Sequence, residues 1–249
     1  MTHELTIALA AAPFIGSFLG LVIDRLPSGR PIIFDRSTCD YCGKTLDWRE
    51  LIPLFSFILL RGRCRRCDHP LRVFYPLIEL AAVVVVISAC VTPPGWLFWC
   101  SILLGWCLLV LAVIDHRHLV LPDVLTLPLI PIGLLVAYVI NPGMIYHHVF
   151  GAAIGLFAFI GIAWLYALLR DREGLGFGDA KLLAGAGAWL GWAALPGVVL
   201  LAACSALAIA LLGQTVERQP VATREIAFGP YLAFAFWASW LLGPLAFDY

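Results

Sequence analysis

Charge is what this sequence most lacks: only 13% of its 249 residues are charged, against 62% apolar. That is too little to coat a water-soluble globule of this size, so a soluble fold is excluded and the chain belongs in lipid. No Lys or Arg precedes the first apolar run, 5–23, and no A-x-A-like cleavage site lies before Arg25. That argues against a removable secretion signal and for a retained anchor. There is no soluble repeat, low-complexity tract or long linker, and no inverted internal repeat of the kind many transporters carry. No Gly-x-Gly-x-x-Gly follows a strand, so no nucleotide-type cofactor site is readable from a motif.

What is present is a series of apolar runs of the length that a ~30 Å bilayer core demands of a helix. They cover 5–23, 73–91, 96–114, 124–140, 148–169, 180–192, 196–213 and 228–246. They predict an all-α polytopic membrane protein of about eight transmembrane helices. The run 180–192 is short for a full crossing, which suits a helix that is tilted, partly unwound or extended by the glycine-rich turn before it. The expected organisation is a first transmembrane helix (1–23), an inserted loop (24–72) and a transmembrane core (73–249).

Net charge is zero but unevenly placed: the 24–72 segment holds ten of the sixteen cations together with six acids. The positive-inside tendency makes this loop cytosolic. Alternating sides from there puts Arg117, Arg170, Arg172, Lys181, Arg218 and Arg224 on the same face, while the connections around Pro93, Asn141 and Leu195 carry no cation. The loop's excess positive charge is modest and its Trp and Tyr are not interleaved with its Arg, so nucleic acid is not an expected partner. Membrane lipid is.

Within the loop stand Cys39-x2-Cys42 and Cys64-x2-Cys67, with 21 residues between the pairs, one beyond the usual zinc-ribbon spacing. Each C-x2-C turn sets two thiolates on one side of a knuckle, and two knuckles can close a tetrahedral site. Cys39, Cys42, Cys64 and Cys67 are therefore candidate ligands of a structural zinc in a zinc-ribbon-like insertion, with His69 able to replace one of them. Disulfides are the competing reading, disfavoured by a reducing cytosol. A ~50-residue loop has too small a core to fold on apolar burial alone, so metal would carry much of its folding. Cys90, Cys100, Cys107 and Cys204 lie in apolar runs and read as small hydrophobes.

Acids beside membrane helices invite a functional reading. Asp115 ends the third run and Asp179 opens the sixth in Gly176-Phe177-Gly178-Asp179-Ala180-Lys181; the topology brings both to the cytosolic interface. Two carboxylates sharing one proton are what an aspartyl protease needs, one to activate water and one to donate to the carbonyl oxygen. Gly176 and Gly178 permit a tight turn and a close approach. Asp179 suits a helix start, so a cap is its plain alternative; Asp115 sits at a helix C-terminus, where the dipole disfavours an anion. Asp123, after Pro122 and before an apolar run, reads as the N-cap of the fourth helix. Glu79, inside the second run, is expected to be satisfied within the bundle, by a cation such as Lys181 or Arg72. His116 and His118 read as solvated interface residues.

These residues also carry a resemblance. Gly16-Ser17-Phe18-Leu19 with Arg25-Leu26-Pro27, Arg36-Ser37-x-Cys39-x2-Cys42-Gly43, Ile52-Pro53, Arg61-Gly62-Arg63-Cys64-x2-Cys67 and Tyr75-Pro76-Leu77-x-Glu79 resemble the bifunctional prepilin leader peptidases and N-methyltransferases of type IV pili and type II secretion. Asp115 with Leu121-Pro122-Asp123, and Gly176-x-Gly178-Asp179-x-Lys181, are similar to that family's two aspartate motifs. The resemblance implies Asp115 and Asp179, not Asp123, as catalytic acids. It implies substrates that are prepilins and pseudopilins, cut after a glycine at the cytosolic face of a bacterial inner membrane. It also implies methylation of the new N-terminus from S-adenosylmethionine. Gly20, Asp24, Asp40 and Leu51 depart from the family's usual residues. The rival readings are a peptidase without methyl transfer, a presenilin-like intramembrane protease, whose partner acid lies in mid-span, and a small ion- or proton-coupled transporter or zinc-dependent scaffold.

Overall fold

The computed structural model of the chain describes residues 2–32, 38–39, 41–45, 47, 50–170, 176–217 and 227–243. Among them the regular structure is helical, and extended pairing is limited to two isolated bridges, Thr38 with Thr45 and Arg63 with Pro70. In chain order the α-helices are α1 (Thr2–Arg25), α2 (Phe55–Leu59), α3 (Phe74–Ser88), α4 (Trp96–His118), α5 (Asp123–Ile140), α6 (Ile145–Arg170), α7 (Phe177–Leu190), α8 (Leu195–Glu217) and α9 (Gly229–Leu242). Of the residues invoked above, Arg36, Ser37, Asp40, Arg172, Arg218 and Arg224 lie outside the described ones.

Among the described residues six helices, rather than eight, are long and apolar enough to cross a bilayer: Thr2–Arg25, Phe74–Val91, Trp96–His118, Asp123–Ile140, Pro142–Gly161 and Trp192–Leu212. The other two expected crossings exist as helices, but α7 and α9 have 14 residues each. At 1.5 Å per residue that is about 21 Å, short of the ~30 Å hydrocarbon core. Both stop at a glycine with positive φ, Gly191 (82°) and Gly243 (83°), where a helix C-terminus turns into the left-handed region.

The chain forms two units, Met1–Val110 and Leu111–Tyr249. In the first, α1 packs along α3. The two helices run so close that a Cβ on Gly16 would lie 2.6 Å from Glu79 Cα, and one on Gly20 would lie 2.8 Å from the Tyr75 ring. The indole N–H of Trp106 donates to the Ala82 carbonyl at 3.1 Å and ties the first part of α4 to α3.

In the second unit α7 is the central element, packed by α5, α6 and α9. Asp179, Ala180 and every residue from 182 to 189 are buried, and beyond Lys181 the helix is apolar all round, as an enclosed helix must be. Lipid supplies no hydrophobic force between helices, so close backbone contact has to hold them. The α6–α7 crossing achieves it with Gly151, Gly155 and Gly187: Gly187 rests on the Gly151 backbone, and a Cβ on Gly155 would lie 2.6 Å from the Leu183 carbonyl oxygen. Trp189, whose indole N–H donates to the Leu129 carbonyl at 3.0 Å, joins α7 to α5.

The obstacle at Gly187 is backbone, which cannot swing aside. Gly187→Leu should therefore destabilise the second unit by about 1–3 kcal/mol or more, read as a lowered melting midpoint in detergent. Leu168→Ala, at an exposed position of α6, should leave the midpoint close to wild type.

Candidate active site

Asp115 stands in the last turn of α4, directly before His116, Arg117 and His118, and is 6% exposed. Its position at a helix C-terminus is unfavourable for an anion, and the compensation arrives from the other end of the unit. The N–H of Gly229, the first residue of α9, donates to Asp115 Oδ2 at 3.0 Å. The sequence Phe228-Gly229-Pro230 builds this donor: Pro suits a first helical turn, and a Cβ on Gly229 would lie 2.6 Å from Oδ2. Sequence reasoning missed Gly229. Its one local signal is a Gly-Pro pair opening an apolar run, which marks a helix start without revealing what that start faces.

Asp179 is the third residue of α7, its own N–H donating to the Gly176 carbonyl at 3.1 Å, and is 8% exposed. The two acids lie within electrostatic reach of each other, both in the second unit. Two contacts fasten their segments together. Leu121, six residues after Asp115, seats on Gly178, where a Cβ would come 2.7 Å from Leu121 Cβ. Lys181 Nζ donates to Asp123 Oδ1 at 2.5 Å.

That ion pair revises two expectations. Asp123 is the first residue of α5 and makes no capping bond, Pro122 standing in the cap position; its carboxylate goes to Lys181. Lys181 in turn is committed to Asp123, and the partners found for Glu79 are the Leu54 N–H, which donates to Oε2 at 2.8 Å, and the Ser17 side chain. At Gly176 a Cβ would meet Asp179 Oδ2 at an ordinary van der Waals distance of 3.6 Å, so packing there does not demand glycine.

The first unit holds the other predicted cluster. The sulfurs of Cys39, Cys42, Cys64 and Cys67 all lie within 4.8 Å of one another, with Cys39 and Cys67 at 3.8 Å. A tetrahedron with ~2.3 Å arms has edges of about 3.8 Å, so the four thiols can hold a metal ion. They are presented by two matching knuckles. In one, Cys39 N–H donates to the Lys44 carbonyl and Gly43 N–H to the Cys39 carbonyl; in the other, Cys64 N–H donates to His69 and Asp68 N–H to Cys64. The fifth residue of each, Gly43 and Asp68, has positive φ (67° and 56°). Amides of Cys42 and Tyr41 bring the Cys39 thiol down to about 7. At Cys67 the His69 amide pulls the same way but is outweighed by burial and the other three sulfurs, which raise it to about 12. His69 is not one of the four; its ring stacks on Tyr41 with centroids 4.3 Å apart.

Comparison with known proteins covers both units. Residues 11–92 match the bacterial peptidase A24 N-terminal domain and residues 102–211 match the type IV leader peptidase family. The prepilin leader peptidase/N-methyltransferase of Aeromonas hydrophila is 38% identical over 254 residues, 92% of this chain and 87% of the relative. The protein of the same name in Burkholderia pseudomallei is 38% identical over 256 residues, covering 92% and 82%. That of Klebsiella pneumoniae is 41% identical over 198 residues, covering 77% and 87%. No solved structure is a significant match.

Proposed function

Because the chain belongs to the type IV leader peptidase family, we propose that it removes the leader peptides of prepilins and pseudopilins with Asp115 and Asp179 as its catalytic carboxylates, and then methylates the amine it has released. The observation that carries the peptidase assignment is the pair of buried acids at the ends of α4 and α7, fastened by Leu121 on Gly178 and by Lys181 with Asp123.

The roles divide by hydrogen bonding. Gly229 N–H already donates to Oδ2 of Asp115, so negative charge is better held there, and Asp179 keeps the proton the pair shares. Asp115 takes a proton from water as its oxygen forms the new bond to the scissile carbonyl carbon, and Asp179 donates to the carbonyl oxygen. Collapse of the gem-diol breaks the C–N bond and delivers a proton to the leaving amine. Lys181 and Asp123 are positioning residues. Arg117 beside Asp115, and Lys181 beside Asp179, agree with a site at the cytosolic face of an inner membrane. Water is available at that interface, and a basic leader meets anionic headgroups there. The four-cysteine cluster fits zinc, bound for structure, since four protein ligands leave no open position. S-adenosylmethionine, when bound, supplies an electrophilic methyl group on a sulfonium.

Asp115→Asn and Asp179→Asn should each lower leader cleavage in proteoliposomes more than about a thousandfold, and the double variant should be no worse than either. Measurable wild-type turnover in either single variant would remove that acid from the mechanism. Gly229→Ala keeps the amide donor but pushes Asp115 aside, so kcat should fall about a hundredfold at nearly constant KM. The purified chain should contain one zinc per molecule by elemental analysis, lost together with protease resistance of the 24–72 loop in Cys42→Ser.

A further inference from the structure

The first unit contains a cavity of about 490 Å³ that the peptidase chemistry does not use. Its size suits a ligand of a few dozen atoms. Glu79, 5% exposed, is on its wall. Ionisable groups inside membrane helices are rare and belong to function by default, so a buried carboxylate lining an open chamber asks for a cation. Glu79 is held by the Leu54 amide and the Ser17 side chain, and Leu54 is itself unusual. Leu54 has φ 60° and ψ −50°, a conformation a branched side chain rarely adopts, and from there its N–H reaches Glu79 Oε2 at 2.8 Å. Backbone strain of this kind, of order 1–3 kcal/mol, persists where the surroundings impose it and gathers at ligand sites.

The rest of the wall is amphoteric. Asp24 and Glu50 add acids, Arg72 is paired with Asp24 at 3.6 Å, Arg30 offers a cation for an anionic group, and the Tyr75 and Phe57 rings offer flat apolar surface. A ligand to match carries a cation for Glu79, an anion for Arg30 and a planar ring system. S-adenosylmethionine has all three: a sulfonium, an amino-acid carboxylate and an adenine.

We propose that this cavity is the methyl-transfer chamber and that Glu79 is the group facing the two cations brought together there, the sulfonium and the pilin's new N-terminal ammonium. The inference rests on the methyltransferase part of the function proposed above. The ammonium first passes one proton to Glu79. The freed nitrogen lone pair then forms the N–C bond while the C–S bond breaks with both electrons going to sulfur. The products are a neutral thioether and a secondary ammonium, and Glu79 returns its proton to water. Glu79→Gln keeps the shape and an acceptor for Leu54 N–H but removes the charge.

The test compares two ligands on the full-length protein in nanodiscs by titration calorimetry. S-adenosylmethionine carries the sulfonium and S-adenosylhomocysteine lacks it. Glu79→Gln should weaken the first at least about tenfold and leave the second within about twofold, because only the first presents charge to position 79. Ser56→Trp, which fills the chamber from its wall, should abolish binding of both. Retained zinc and an unchanged melting midpoint establish that each variant is folded. Should Ser56→Trp misfold, photocrosslinking of the labelled donor to wild-type protein replaces it, with label expected on peptides containing residues 14–30 or 50–79. Equal weakening of both ligands by Glu79→Gln, or label confined to the second unit, overturns the chamber while leaving methyl transfer intact. If the wild-type protein binds neither ligand, the methyltransferase reading falls, and the chamber with it.

Discussion

Two acids cannot be buried side by side in a helix bundle without something to hold the charge between them, and several local choices in the second unit serve that need. An isolated buried anion is costly enough to reshape its surroundings. For Asp115 the answer is a backbone donor, the Gly229 N–H, delivered by the start of α9. Asp179, in the first turn of α7, answers the same need by keeping the proton that the pair shares. The α6–α7 glycine contacts matter for the same reason: they fix the short, enclosed α7 and with it the height at which Asp179 emerges. The Lys181–Asp123 pair is partly exposed and contributes little to stability by itself. Its value is geometric, since it joins the segment following one acid to the segment following the other.

Much of this is legible in the chain because its signals are local. An apolar run of twenty residues has one way to satisfy its backbone in lipid, so the long helices can be placed from composition alone. The four cysteines announce themselves by a spacing that paired knuckles explain. What escapes is whatever depends on a partner far along the chain. Asp123 has every local mark of a helix cap, yet a lysine 58 residues later claims its carboxylate. Glu79 looks for a cation by the logic of charge, and the amide of a strained Leu54 meets it instead, together with the Ser17 side chain. The number of crossings depends on surroundings in the same way: whether a 14-residue helix crosses or nestles is set by what packs around it, and α7 is surrounded.

The two units solve different problems with similar means. In each, an acid on an apolar helix is met by a main-chain N–H from a segment distant in sequence, Gly229 for Asp115 and Leu54 for Glu79. Backbone donors suit such sites because they add no second charge to be buried and are fixed in direction by the fold around them. The knuckles of the first unit extend this economy, since Thr38 and Cys39 line the same cavity as Glu79 and so make the four-cysteine loop part of its wall.

The Gly229 contact also has a meaning in time. Ribosomal synthesis delivers both acidic motifs to the membrane well before α9 exists, and a chain halted after α8 would carry the complete pair without the amide that steadies one of them. The Asp115–Gly229 contact is therefore among the last that the growing chain can close.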